Sequence, residues 1–365
     1  MKKALLAAAL MSAGVIAHAQ SSVTLYGRLD AGIEYMSGLS NGSSSVSRWR
    51  AESGDWGTSL WGLKGAEDLG GGTKAVFQLE GSFNTMNGTN NVGQIWNRWA
   101  TIGFANDNYG TFLLGRELFI SNGIWDFDPM GQSAWSTASL VRGRNWPQSS
   151  NNLSYQSPKW NGFDVYGQYS LSNSTSWNGG NGAAQGREDG LQLTYTASLF
   201  QVRGLYDEIR NPANGSLNGG STSGAFNYSR EYMAMANVFL GQFKVQAGYN
   251  AVRSSGQTSS VQPSSLDQEW GGLTWQATPA AALIGAVYHV NANNGGGNAT
   301  IYTIGGTYNL SKRTLLDFQA ATVRNSKTAN FGLEANSAGA GSSSNDNPLV
   351  GHSQSGVYAG IQHSF

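Results

Sequence analysis

Residues 73–83 read TKAVFQLEGSF, and this short stretch carries the pattern that decides the fold. Phe77 and Leu79 alternate with Gln78 and Glu80, and successive side chains of an extended chain point to opposite sides. Strict alternation of apolar and polar residues predicts a β-strand with one apolar face and one polar face.

The same alternation recurs along the whole chain after its first residues. It predicts about 16 strands, at residues 23–36, 57–69, 73–85, 96–106, 110–117, 150–157, 162–172, 190–198, 201–210, 230–240, 242–253, 269–278, 280–291, 299–310, 314–325 and 355–365. An even number of strands is typical of a closed antiparallel barrel made by one bacterial chain. Alternation alone, however, also fits a soluble β-sandwich.

The connections between strands separate these two alternatives. Short links at 69–72, 106–109, 158–162, 241–242, 278–280 and 311–313 alternate with long Gly/Ser/Asn-rich stretches at 37–56, 174–188, 211–229, 254–268 and 326–354. Tight turns at one rim and long loops at the other are typical of outer-membrane barrels. The pattern predicts an all-β fold, a 16-stranded antiparallel transmembrane β-barrel.

The first residues predict export from the cytoplasm. Lys2 and Lys3 precede an apolar run at 4–17, and an Ala-x-Ala triplet ends at Ala19. A charged start, a short apolar segment and a small-residue cleavage site are typical of a signal peptide. We therefore expect a signal peptide at 1–19 and one barrel domain at 20–365.

Composition supports a membrane barrel. Charged residues make up 12% of the chain, against roughly 25% in soluble domains. Cys 0 excludes a disulfide framework, and a formal net charge of zero argues against a nucleic-acid partner. No later apolar run approaches the roughly 20 residues that a membrane-spanning helix needs. Any membrane crossing must then use strands that leave no free edge.

Aromatic residues near the predicted strand ends fit a bilayer interface, where ring side chains are enriched. These residues are Tyr26, Trp61, Phe104, Phe112, Tyr288, Tyr308 and the carboxyl-terminal Phe365.

Several motifs resemble a known family. Leu25-Tyr26-Gly27-Arg28-Leu29-Asp30, Trp61-Gly62-Leu63-Lys64-Gly65, Tyr109-Gly110-Thr111 and Tyr358-x-Gly360-x-x-His363-x-Phe365 resemble the general porins of Gram-negative bacteria, in the neisserial and β-proteobacterial branch. The resemblance implies a homotrimer of sixteen-stranded barrels in the outer membrane, in contact with membrane lipid and lipopolysaccharide. It also implies a third loop, here about 117–149, that folds inward and narrows the lumen, and we expect polar contacts to hold it there.

Such a barrel is expected to be a water-filled channel for passive diffusion of small hydrophilic solutes and ions, without a cofactor. Fixed charges in a narrow passage create potentials of several kT, so inward-facing charges are the candidate site. The wall offers Arg28, Asp30, Lys64, Arg98 and Arg116, and the third loop offers Glu117, Asp126, Asp128, Arg142 and Arg144. Alternatively, some of these pair off and pin the loop to the wall.

Two positions depart from the family pattern. Leu60 and Gln148 stand about where these porins often carry wall arginines, which puts strong anion selectivity in doubt. The loop also carries Trp125 and Trp135, whose rings either pack the loop against the wall or stack on sugars or aromatic solutes. A channel specific for such solutes is therefore an alternative to a general pore.

Two other classes of protein, an enzyme in a barrel and a surface adhesin, have less support in the sequence. After signal cleavage the histidines are His289, His352 and His363, and there is no cysteine, so neither a nucleophile–base pair nor a metal site is expected. We therefore predict that the chain is not an enzyme. The long loops could be adhesin tips, but they contain no repeats and no charge blocks.

Overall fold

The computed structural model describes residues 22–90, 93–141, 143–172, 174, 185–218, 225–255, 262–334 and 346–365. The predicted signal peptide at 1–19 lies outside these residues and stays a prediction.

The described residues form one antiparallel sheet that closes on itself. Its strands are β1 (Ser22–Ser40), β2 (Ser45–Glu52), β3 (Leu60–Gly70), β4 (Thr73–Ser82), β5 (Trp99–Asn106), β6 (Gly110–Leu118), β7 (Gln148–Gln156), β8 (Phe163–Ser170), β9 (Glu188–Thr196), β10 (Phe200–Ile209), β11 (Arg230–Leu240), β12 (Phe243–Arg253), β13 (Ser265–Gln276), β14 (Ala281–Ala292), β15 (Gly297–Asn309), β16 (Thr314–Asn325) and β17 (Gln354–Ser364). Strand β17 pairs with β1 and closes the barrel.

The seventeen strand segments occupy sixteen positions around the barrel. Strands β2 and β3 both pair with β1, β2 along Gly32–Ser40 and β3 along Ser22–Arg28, so together they form one staggered barrel strand. Residues 53–59 separate them. The predicted 16-stranded antiparallel barrel is confirmed.

The prediction of a loop at 37–56 was wrong. Strand β1 continues to Ser40 and returns as β2 through a turn in which the Asn41 amide donates to the Ser44 carbonyl at 3.1 Å. Arg50 in β2 donates to Glu34 in β1 at 3.0 Å, which ties the hairpin together. The Ser-rich sequence of these strands resembles that of a loop. The pairing between them, which the local sequence does not reveal, makes the segment a hairpin.

The two rims of the barrel differ as the sequence predicts. Tight turns such as Gly241–Gln242, where Gly241 has φ +64°, form one rim, and long connections such as 83–98 and 119–147 form the other. The long-loop rim of an outer-membrane barrel faces the exterior. Among the described residues, no helix is long and apolar enough to span a bilayer.

The two faces of the wall have opposite character. Large apolar side chains such as Ile33, Ile102 and Ile304 are exposed on the outside, whereas many polar side chains on the inner face are buried. A barrel in a bilayer requires this arrangement, because its outer face contacts lipid and its backbone polar groups pair within the sheet.

Two aromatic residues expected at the bilayer interface instead face inward. The Tyr26 hydroxyl donates to Glu80 at 2.9 Å, and the Tyr288 hydroxyl donates to Asp128 at 2.6 Å. Their strand register places both on the inner face. Proximity to a strand end does not reveal this orientation, so the prediction for these two was wrong. Phe104, Tyr308 and Phe365 are exposed.

The predicted third loop does fold inward. Residues 119–147 connect β6 and β7 and contain two 3-10 helices, Ile120–Phe127 and Thr137–Leu140. The first contacts β9 to β12, and the second contacts β13 and β14, so the loop follows the inner wall away from its own strands.

Closure between β1 and β17 gives a stability prediction. The Gly27 amide donates to the Phe365 carbonyl at 3.1 Å, and the Phe365 amide returns a bond to Gly27 at 3.0 Å. A Cβ at Gly27 would lie 2.3 Å from the Phe365 ring, whereas one at Gly285 meets nothing within 4 Å. We expect Gly27→Val to lower the free energy of unfolding by about 1–3 kcal/mol, as overpacking does.

The measurement is the denaturant midpoint for unfolding of the refolded barrel in detergent, with tryptophan fluorescence as the signal. Gly285→Val is the matched control, and its midpoint should move much less. Equal shifts of the midpoint in the two variants would show that the close contact between Gly27 and Phe365 does not limit stability.

Candidate functional site

An apolar cluster holds the third loop inside the barrel. Its loop members include Phe119, Phe127, Trp135 and Leu140, all nearly or fully buried. The wall contributes inward-facing apolar side chains, including Leu205, Met233, Trp270, Tyr288, Ile301 and Val323. Fully burying one large apolar side chain contributes roughly 1.5–3 kcal/mol. Apolar packing therefore holds the loop in addition to the expected polar contacts, as the packing interpretation of Trp135 predicts.

Glycines in the wall make room for two large loop side chains. A Cβ at Gly356 in β17 would lie 2.8 Å from the Trp135 ring, and one at Gly305 in β15 would lie 2.8 Å from the Met130 methyl carbon. The loop thus lies flat against the wall as far as β17.

Two predicted site charges in the loop are buried anchors. Asp128 accepts hydrogen bonds from the Tyr288 hydroxyl, the Met130 amide, and the Thr137 amide and hydroxyl, at 2.6–3.1 Å. The Arg144 guanidinium has no exposed side-chain surface and pairs with Asp207 and, at 2.8 Å, with Glu231. Both residues fit the alternative in which charges pin the loop to the wall.

Two further predicted acids are also buried. Glu117 accepts from the Ser154 and Tyr166 hydroxyls, both at 2.8 Å, and from two side-chain amides. Asp30 accepts from the Tyr358 hydroxyl at 3.1 Å and the Gln362 amide at 3.0 Å. Each carboxylate joins neighbouring strands on the inner face. Their burial keeps both groups from direct contact with a passing solute.

The predicted wall cations lie on the inner side of β1, β3 and the start of β5. Arg28 donates to the Thr58 carbonyl at 2.9 Å and to Gln132 of the third loop at 2.7 Å. Arg98 pairs with Glu80 at 2.6 Å. Lys64 is exposed, with its ammonium 5.2 Å from the centre of the Tyr26 ring. Arg28 and Arg98 are close enough to interact electrostatically.

The remaining predicted charges are Arg116, Asp126 and Arg142. Arg116 is partly buried and donates to the Asn97 carbonyl at 2.9 Å. The Asp126 side chain is 62% exposed and pairs with Arg203 at 2.7 Å. The structure thus leaves Asp126 as the accessible acid among the three predicted in the loop. Arg142 lies outside the described residues.

The two loop tryptophans differ in accessibility. Trp135 is fully buried, so a solute in the pore cannot reach its ring. Trp125 is partly buried against the apolar cluster, and its predicted stacking role stays untested.

The sequence prediction missed a second inward segment, residues 53–59 between β2 and β3. The Asp55 carbonyl accepts from the Ala134 amide of the third loop at 3.2 Å. Glycines at 54 and 57 within this stretch were the available sequence signal for a tight inward bend.

These segments surround a cavity of about 420 Å³. It is lined by residues 52–55, 58 and 59 of the first hairpin region, by Ser82, Phe83, Asn84, Asn97 and Arg98, by Ala134, Asn145, Trp146 and Gln148, and by Glu334. The carboxylates of Glu52, Asp55 and Glu334 are additional site charges that were not predicted.

Burial changes the titration of two of these carboxyls. It raises the pKa of Asp55 well above its usual range, and the nearby carboxylates of Glu334 and Glu34 raise it further. Burial also raises the pKa of Glu334 to about 7, with Arg50 acting in the opposite direction. The negative charge of this cavity therefore increases as pH rises through about 7.

This titration predicts a pH-dependent ion preference. Raising the pH from 6 to 8 deprotonates Glu334, and the added negative charge should increase preference for cations. We expect the reversal potential in a KCl gradient to shift in that direction, and Glu334→Gln to remove most of the shift. Asp107→Asn, in an exposed turn at the opposite rim, is the control. An unchanged shift in Glu334→Gln would assign the titration to another group.

Comparison with known proteins shows to which family the chain belongs. A model of the Gram-negative porin family matches residues 4–328. An outer membrane porin protein of Bordetella pertussis is 31% identical, covering 87% of this chain and 92% of its own. Outer membrane porin protein 32 of Delftia acidovorans is 29% identical, with both chains fully covered.

A solved structure shares the fold. The anion-selective porin from Comamonas acidovorans superposes with a TM-score of 0.76, at 23% identity over 95% of this chain and all of its own. The closed barrel, the constricting loop and these relatives lead to one conclusion: the chain belongs to the Gram-negative porin family and is an outer-membrane channel for passive diffusion.

Proposed function

We propose that charges at the constriction set which small hydrophilic solutes and ions pass through this channel. The supporting observation is the placement of the loop. Because it covers the inner wall along β9 to β17, the cavity opens beside β4 and the start of β5, where Arg98 lines the same space as the carboxylates of Asp55 and Glu334. Charges on two sides of a narrow passage produce a transverse field that orients dipolar solutes.

The balance of these charges supports a modest ion preference. Arg98 is paired with Glu80, and Gln148 contributes an amide that accepts from Arg116 at 3.4 Å. Leu60 is buried and brings no charge. We therefore expect weaker anion selectivity than a fully basic wall would give. The Comamonas neighbour is described as anion-selective, and Arg28 and Arg98 of this chain carry the positive charge that would favour anions.

A second candidate function is a channel that prefers sugars. The cavity combines the aromatic rings of Phe83 and Trp146 with the side-chain amides of Asn84, Asn97 and Gln148. Ring faces stack on the apolar faces of sugars, and amides donate and accept hydrogen bonds with hydroxyls. Transient block of ion current by a neutral disaccharide would favour this candidate.

The assembly and partners extend the proposal. Resemblance to the general porins supports a homotrimer embedded in outer-membrane lipid and lipopolysaccharide. The matched relatives are channels, which supports a non-enzymatic role without a cofactor. His289, the strongest candidate for a base, makes a contact of 2.8 Å with the Thr300 hydroxyl.

Reversal potentials in asymmetric KCl test the charged constriction. We expect Arg28→Gln and Arg98→Gln each to lower the anion-to-cation permeability ratio, by about threefold for one unit charge several ångströms from the ion path. Arg324→Gln is the matched control, because Arg324 lies on the outer face over Tyr302. If all three variants behave like the parent protein, charge at the constriction does not govern selectivity.

A further inference from the structure

The cavity beside the third loop has an end with more acidic than basic side chains. Glu52, Asp55 and Glu334 line it there, and we call these three residues the acidic pocket. The carboxyls within electrostatic range of one another number five, and the guanidinium groups among them number two. They are Glu34, Glu52, Asp55, Glu334 and Asp346 with Arg48 and Arg50. When all of them are ionised, the arginines leave part of the negative charge uncompensated.

Asp55 is the acid that these arginines do not reach. The Arg50 guanidinium pairs with four other carboxylates, those of Glu34, Glu52, Glu334 and Asp346. Asp55 is 4% exposed, and its Oδ2 has no hydrogen-bond partner among the described residues. Leaving a buried carboxylate oxygen without a donor is costly. A solute that brings a cationic donor into the cavity would remove this cost.

The segment that carries Asp55 is fixed to the wall on both sides. The Ser59 hydroxyl donates to the Asp30 carbonyl in β1 at 3.0 Å, and the Thr85 amide donates to the Ser53 hydroxyl at 2.8 Å. These bonds hold Asp55 in one position before any solute arrives. A site that is already ordered loses less conformational entropy on binding.

The rest of the cavity suits the body of a small polar molecule. Its volume of about 420 Å³ lies within the range of small-molecule sites. The rings of Phe83 and Trp146 line it, and the buried Nε1 of Trp146 has no hydrogen-bond partner in the part of the chain that the structure describes. Arg98 lines the same space and pairs with Glu80 through its Nε. The cavity therefore offers a solute an acceptor at Asp55 and a donor at Trp146.

The acidic pocket favours an organic cation over a metal ion. Within the described residues, no group of three His, Cys, Asp or Glu side chains is placed to hold a metal. A guanidinium group is planar, donates parallel hydrogen bonds to carboxylates and stacks on aromatic rings. It is also more weakly hydrated than an ammonium group, so it loses less on leaving water. Neighbouring carboxylates beside aromatic rings match these properties.

We propose that the acidic pocket binds the guanidinium end of a solute of about amino-acid size during its passage through the channel. Asp55 accepts hydrogen bonds from the guanidinium group, and Glu52 and Glu334 add to the negative charge around it. The remainder of the solute lies toward Trp146 and Arg98. This site gives a solute class to the cavity of the proposed function, and it rests on the charged constriction proposed there.

Block of single-channel current by two matched amino acids tests the site. L-arginine ends in a guanidinium group, and L-citrulline has the same shape with an uncharged urea group. The currents are recorded in a planar bilayer in dilute KCl at pH 8, where Glu334, with its pKa of about 7, is ionised. We expect L-arginine to block the parent channel at concentrations at least about tenfold lower than L-citrulline, since only arginine forms charged hydrogen bonds.

Variants that remove one charge locate the block. Asp55→Asn keeps the shape of the side chain and should weaken the arginine block by about tenfold, the usual effect of losing a charged hydrogen bond. Glu52→Gln, in the same pocket, should weaken it in the same direction and supplies the test if Asp55→Asn forms no channels. Asp107→Asn, in an exposed turn at the opposite rim, should leave the block within about twofold.

Two results would overturn the proposal. One is equal block by L-arginine and L-citrulline in the parent channel, and the other is an arginine block that neither Asp55→Asn nor Glu52→Gln weakens. The reversal potentials of Arg28→Gln and Arg98→Gln test the charged constriction separately. Altered reversal potentials together with equal block by the two amino acids would reject the guanidinium site and leave the proposed function standing.

Discussion

The hydrogen bonding between β1 and β17 is the constraint on which the rest of this structure depends. Inside a bilayer, a strand edge without partners would leave several backbone groups unsatisfied at a cost of several kcal/mol each. The register from Arg28 opposite Ser364 to Ser37 opposite Ser355 removes that edge. Closure also creates an interior, and the residues that occupy that interior determine what can pass through the barrel.

Much of the interior is occupied by the third loop. Apolar contacts spread along the wall from Leu205 to Tyr358 hold the loop, and charged side chains add contacts at separate points along it. Arg144 bridges Asp207 and Glu231 near one end, and Arg28 reaches Gln132 near the middle. Removing one member of a buried pair strands its partner and costs about 3–5 kcal/mol. These charged side chains therefore stabilise the position of the loop, in addition to any effect that they have on ion selectivity.

Local sequence predicted the barrel well because strand alternation is a local property. It predicted the inward orientation of Arg28 and Asp30 for the same reason. It offered the burial of Asp128 and Trp135 only as one of two alternatives, since their partners Tyr288 and Gly356 are far away in the chain. The inward segment around Asp55 also depends on a distant contact, with Ala134. The site thus follows from tertiary pairing that no single stretch encodes.

The central claim is that apolar packing inside the barrel holds the constricting loop in place. Single-channel conductance of Trp135→Ala in a planar bilayer tests it most directly. Truncating a buried tryptophan costs about 3–5 kcal/mol, which should release the loop from β17 and give a larger, noisier conductance. Trp49→Ala, at an exposed position, should conduct like the parent protein. An unchanged conductance in a folded Trp135→Ala barrel would contradict the account.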